Sequence, residues 1–173
     1  MSIADLSDPK VYDFVKFLVD RGADPSIADV DGNTCLHRLA LYNKTRDINR
    51  WNNDPDRATY VKQEKETLYK VTEFLIEKGA PLNSLNEQKK TPFAVALDND
   101  HVGILEILCQ QIKVSESPSI LHEFESKIFD DRYKTVLLKL LKRESKQELT
   151  PEKLDNLNSE GFTPFLTYVR AFV

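Results

Sequence analysis

Two blocks of this chain occur twice at one spacing, and that limits the possible folds more than any other feature. Phe17-Leu18-Val19-Asp20-Arg21-Gly22-Ala23 returns as Phe74-Leu75-Ile76-Glu77-Lys78-Gly79-Ala80. Asp31-Gly32-Asn33-Thr34-Cys35-Leu36-His37 returns more loosely as Gln88-Lys89-Lys90-Thr91-Pro92-Phe93-Ala94. The offset from Gly22 to Gly79 (79 − 22 = 57) equals the offset from Thr34 to Thr91 (91 − 34 = 57). Two blocks at one offset mean that a whole unit has been copied, which predicts a stack of similar bricks. A third segment, Glu160-Gly161-Phe162-Thr163-Pro164-Phe165-Leu166, aligns on its threonine. Five residues before each threonine stands Asp29, Asn86 or Asn158, a short polar side chain of the kind that closes a turn.

The residues between these blocks predict helices. Six prolines sit at helix starts, in Asp8-Pro9, Asp54-Pro55, Thr91-Pro92, Ser117-Pro118, Thr150-Pro151 and Thr163-Pro164. The small polar residue accepts a bond from an orphan N–H, and proline has no N–H to leave unpaired. Gly22 and Gly79 read as left-handed C-terminal caps. Apolar side chains recur at helical spacing as Val11, Phe14, Val15, Leu18 and Val19, and again as Leu68, Val71, Phe74, Leu75 and Ile76. Ile104, Leu105, Ile107 and Leu108 form a third stripe, and Tyr133, Val136, Leu137, Leu140 and Leu141 a fourth. No run alternates as a half-buried strand does. The expected class is all-α, with short extended fingers between helix pairs.

These words resemble the ankyrin repeat. Gly32-Asn33-Thr34-Cys35-Leu36-His37 is similar to that family's inner-helix opening, with Cys35 in place of proline. Thr91-Pro92-Phe93-Ala94-Val95-Ala96 keeps the alanine and lacks the histidine. Asp100-His101, followed by Ile104-Leu105-Glu106-Ile107-Leu108, looks like the outer helix with Asp100 replacing glycine. Thr163-Pro164-Phe165-Leu166-Thr167-Tyr168 puts a bulky Tyr168 at the alanine position. The resemblance implies an ankyrin-type α-solenoid of stacked helix pairs with finger turns. It divides the chain into a half repeat (1–30), a repeat (31–85) with an insertion at about 43–67, and a repeat (86–112). A degenerate repeat or helical insertion (113–154) and a partial repeat (155–173) follow. A helix opening at Asp54-Pro55 is expected to run on to Lys78. The opening outer helix has no inner partner, so the chain reads as a segment of a longer array, or one whose ends a partner covers.

Composition narrows the function. Net charge is −4 and pI about 5.5, which does not mark a nucleic-acid binder. Two cysteines rule out a disulfide scaffold and a four-thiolate zinc site. No 18-residue apolar run or secretory leader is present, so the expected location is intracellular, cytoplasmic or nuclear. There is no phosphate loop, dinucleotide fingerprint or nucleophile elbow. The chain is read as no enzyme, with no cofactor, no metal and no small-molecule substrate.

Each chemical candidate has a plainer explanation. The resemblance gives His37 and His101 local structural hydrogen bonds, and His122 has no ligand at metal spacing. Cys35 at a helix start could be an activated thiol, but reads better as a small stand-in for proline. Asp29, Asp31 and Gly32 faintly suggest a calcium loop, yet Ala40 stands where a bidentate Glu is needed, so a finger turn is the better reading. The basic stretch from Asp131 to Lys146 reads as the wet face of an amphipathic helix.

The remaining expectation is a protein-interaction module or scaffold. Its runners-up are a structural segment of a large assembly and a regulatory repeat domain of an enzyme or channel. The resemblance places contacts at exposed inner-helix positions, Arg38, Val95 and Thr167. It also places them on the fingers, at Val30, Asp31 and Asn33, then Glu87, Gln88, Lys89 and Lys90, then Ser159, Glu160 and Phe162. Trp51, in the insertion, is a possible partner anchor.

Overall fold

The computed structural model describes residues 6, 8, 10–42, 57–112, 120–124, 127 and 130–144. These residues form helices and turns, with no strand among them. In chain order the helices are α1 (Lys10–Asp20), α2 (Cys35–Leu41), α3 (Arg57–Glu77), α4 (Pro92–Asp98), α5 (Val102–Gln111), α6 (Ile120–Glu123) and α7 (Asp131–Glu144). The chain divides into two compact units, Met1–Ile107 and Leu108–Val173, with the boundary inside α5.

In the first unit, α1 packs on α3, α2 packs on α4, and α2 also packs on α3. Each like element therefore lies beside its own copy. The starts follow the expected chemistry. Asp8 accepts a bond from Lys10 N–H at 2.9 Å, and Thr91 Oγ1 one from Ala94 N–H at 3.1 Å, with Pro92 at the first helical position. The ends match one another. Gly22 (φ +95°) donates to Val19 C=O while Ala23 donates to Leu18 C=O. Gly79 (φ +94°) donates to Ile76 C=O while Ala80 donates to Leu75 C=O. Both are Schellman caps. Asp100 makes the same cap with φ +55°, donating to Leu97 C=O while His101 donates to Ala96 C=O. An aspartate there tolerates the left-handed region that a glycine would enter freely.

The core is apolar and continuous along these helices. It includes Leu36, Leu39 and Ala40 on α2, Leu68, Val71, Phe74 and Leu75 on α3, and Phe93, Ala96 and Leu97 on α4. Each large side chain withdrawn from water contributes ~1.5–3 kcal/mol. The stripe expected on α1 is corrected at Phe14, which is exposed; Val11 is the buried member of that stripe. The counterpart of Phe14 on α3, Val71, is buried.

The long helix expected before Lys78 is present from Arg57, and Pro55 lies outside the described residues. Residues 58–66 of α3 are almost all exposed, and burial begins at Thr67 and Leu68. In the register of the copied unit, Thr67 is the counterpart of Lys10, the first residue of α1. The extra length of α3 is thus an overhang, and its packed part matches α1.

The second unit buries Ile120 and Phe124, with Tyr133, Val136, Leu137 and Leu140 of α7. Arg132, Thr135 and Lys139 lie on the exposed face of α7. This is the amphipathic arrangement that the basic stretch predicted, with the Arg132 guanidinium held by Asp130 at 2.6 Å. In the segment read as a degenerate repeat or a helical insertion, α6 spans Ile120–Glu123.

Candidate functional site: the paired finger turns

Two loops that precede inner helices, residues 24–33 and 81–90, carry the same network of hydrogen bonds. In the first, Asp29 Oδ1 accepts from Asp31 N–H at 3.0 Å and Asn33 N–H at 2.9 Å. Asp29 N–H donates to Asn33 C=O, and Gly32 N–H to Asp29 C=O. In the second, Asn86 Oδ1 accepts from Gln88 N–H and Lys90 N–H, both at 3.0 Å. Asn86 N–H donates to Lys90 C=O, and Lys89 N–H to Asn86 C=O. A side-chain oxygen that satisfies two loop amides fixes the turn without strand pairing. Gly32 (φ +72°) and Lys89 (φ +60°) occupy the same left-handed place. This spends Asp29 Oδ1 on backbone amides, as the finger reading requires, while Oδ2 accepts from the Arg38 guanidinium.

The fingers are joined side by side. Glu87 N–H donates to Asp31 C=O at 3.0 Å, and Asn86 Nδ2–H to Asn33 Oδ1 at 3.0 Å. His37, fully buried, makes the third link. Its Nε2–H donates to Lys90 C=O at 2.9 Å, while Nδ1 accepts from Thr34 N–H at 3.1 Å. One ring nitrogen donates and the other accepts, so this imidazole must be neutral. Burial holds its pKa below the ordinary 6.5, against the opposing pull of the Lys90 carbonyl and the Asp29 charge. His101 is also held below 6.5, mainly by burial, while a hydrogen bond to the Tyr42 backbone works in the other direction. Both histidines are structural, as expected.

Above this frame the finger tips face solvent. Val30 is 96% exposed. Asp31, Glu87, Gln88 and Lys89 are exposed, and Lys90 is half-buried with its Nζ 2.7 Å from Asp98. Arg38 projects from α2, but its guanidinium is tied to the Asp29 and Asp31 carboxylates. Partial burial pushes the Asp29 carboxyl up. The Asn33 N–H, the Arg38 guanidinium and the Asp31 N–H outweigh it and hold the group below the usual carboxylate range.

Two expected contact residues are corrected. Asn33 is buried because its amide oxygen serves Asn86 across the finger junction. Val95 is buried with Phe93, Ala96 and Leu97, since an apolar side chain on a short helix gains more from the core than from water. Trp51, Ser159, Glu160, Phe162 and Thr167 lie outside the described residues. Ile27 and Leu85, in the same two loops, are exposed large apolar side chains that were not among the expected contacts. Cys35 is no activated thiol: it donates to Pro25 C=O at 3.2 Å, and burial pushes it up to about 11.

In the first unit, then, α1 packs on α3 and α2 on α4, and the turns that precede α2 and α4 are bonded to each other. Among characterised proteins, the chain is 22% identical over 181 aligned positions to a poly [ADP-ribose] polymerase tankyrase of Caenorhabditis elegans. The match takes in 91% of this chain and 8% of that protein. No family model matches the chain, and no solved structure matches it. No helix among the described residues is long and apolar enough to cross a membrane.

Proposed function

We propose that this chain is an ankyrin-type array working as a protein-interaction module, which binds a partner protein across its finger tips. The observation that carries the reading is the cross-bonded pair of fingers. Two loops with one hydrogen-bond pattern, locked to each other and to α2, hold exposed side chains in fixed places. A rigid surface loses little conformational entropy on binding, which favours recognition over area alone. The similarity to a tankyrase, a protein that contains ankyrin repeats, agrees with the reading.

Val30 and the chain from Glu87 to Lys89 are the contact residues, with Arg38 held ready beside them by Asp29 and Asp31. The reading needs no catalytic step and no cofactor. Crosslinking and affinity capture with the full-length protein test it, using wild type beside Val30→Asp and Lys89→Glu. A partner that crosslinks to residues 30–31 or 87–89 and is lost in the variants is the expected result. A partner retained in full by both variants contradicts it.

A further inference from the structure

We propose that the α3 overhang is the seat of the chain segment that precedes it, with Ile48 and Trp51 of residues 43–56 packed on Tyr60 and Val61. The inference does not depend on what binds the finger tips. It makes Trp51 an internal anchor and not a partner contact.

The overhang carries on the buried face of α3. Tyr60, Val61 and Glu64 stand seven residues, about two turns, before Thr67, Leu68 and Val71, so the two sets share one side of the helix. The later set is buried. Tyr60 and Val61 are 47% and 55% exposed, and Glu64 is half-buried. Thr59, Lys62 and Glu66, on the opposite side, are all polar. The overhang is thus two-faced like the packed part, and its apolar side is continuous with an interface already formed.

The path of the chain selects the occupant. α2 ends at Leu41, and the backbone of the next residue, Tyr42, is bonded to His101. The His101 ring and the Leu68 side chain both flank Gly103, 3.7 and 3.6 Å from where its Cβ would lie. The chain therefore leaves α2 beside Leu68, at the base of the overhang, and enters α3 at Arg57, the tip. That climb is 68 − 57 = 11 residues of helix, or about 16 Å, which roughly five extended residues would span. The segment has 56 − 42 = 14 residues, enough to lay side chains along the helix. Its two large apolar residues are Ile48 and Trp51. Tethering at both ends of the overhang gives them a high effective concentration there, against which a second copy or a separate partner would have to compete.

Trp51 is the single tryptophan of the chain, so its fluorescence reads the contact directly. In the folded chain its emission is expected to be blue-shifted, and its quenching by acrylamide several-fold weaker than in urea. Val61→Asp is expected to return both to the unfolded values while far-UV circular dichroism stays helical. Thr59→Asp, on the opposite side, is expected to change neither. Nuclear Overhauser contacts between the Trp51 ring and the Val61 methyls read the same seat without any variant. A freely quenched Trp51 in the folded wild type overturns the proposal, as does the absence of those contacts. A protected Trp51 that ignores both Val61→Asp and Tyr60→Asp sits elsewhere and also overturns it. Protection that fades on dilution, in step with a dimer seen by sedimentation, would assign the face to a second copy, against the stated occupant.

Discussion

Gly32→Ala tests how closely the two fingers approach. Gly32 has φ +72°, and a Cβ built there would lie 2.9 Å from Glu87 N, 3.1 Å from Asn86 Cα and 3.2 Å from Asn86 C. Every one of these is a backbone atom, so no side chain can swing aside. Two penalties therefore add. A left-handed alanine costs roughly 1–2 kcal/mol. Separating the fingers also weakens two hydrogen bonds, Glu87 N–H to Asp31 C=O and Asn86 Nδ2–H to Asn33 Oδ1, each with a net contribution of roughly 0.5–1.5 kcal/mol. The expected loss is about 2–5 kcal/mol. Gly22→Ala is the control, because φ is +95° and nothing lies within 4 Å of its Cβ, leaving only the first penalty of about 1–2 kcal/mol. At the matching place in the second finger, Lys89→Gly relieves strain but loosens the unfolded chain. It should leave stability within about 1 kcal/mol of wild type. Urea unfolding at fixed pH measures all three through the midpoint, provided the slope is unchanged. If Gly32→Ala costs no more than Gly22→Ala, the fingers do not touch and the reasoning fails.

Three further outcomes follow from the site. His37 and His101 are both held below their ordinary 6.5, so the unfolded chain takes up their protons first. Stability should be complete above about pH 6.5 and fall below it by up to ~1.4 kcal/mol per pH unit for each histidine; urea midpoints between about pH 7.5 and 5.5 that do not move would contradict this. Val95→Asp should cost at least ~3 kcal/mol by burying an unpaired charge, and Val30→Asp under ~0.5 kcal/mol; thermal unfolding that ranks them the other way would refute the burial assignments. At about pH 8 the Cys35 thiol, raised from 9.0 to about 11, should alkylate about a hundredfold more slowly than an unperturbed thiol; site-resolved mass spectrometry showing ordinary rates would refute the inert reading.

The repeated words foretold the parts of the fold that depend on local chemistry. Glycine caps at Gly22 and Gly79, the Thr91-Pro92 helix start, and the turn-closing pair Asp29 and Asn86 act within a few residues, so their spacing alone revealed them. The resemblance also gave His37 its role, although its acceptor, the Lys90 carbonyl, lies 53 residues away. Burial of individual positions was less legible. Arg38 and Val95 hold the same place in successive copies, yet one is exposed and the other buried. Phe14 read as core by its spacing, yet it stays half-exposed because neighbours, not periodicity, decide burial. Asn33 carried no mark of its bond to Asn86, since either finger looks complete by itself. Lys89 and Asp100 in left-handed conformations, where a glycine is usual, show that position in the turn can override residue preference.

Amide exchange at two residues of the unaltered chain puts the side-by-side stacking of copied units to its most direct test. Glu87 and Val30 stand at one place in successive fingers, but among the described residues only Glu87 N–H has an acceptor on a neighbouring finger. The stacked arrangement predicts a Glu87 amide protected well above its intrinsic rate and a Val30 amide exchanging near its own. Equal, unprotected exchange at both would mean that the fingers do not pair and that the copies do not stack.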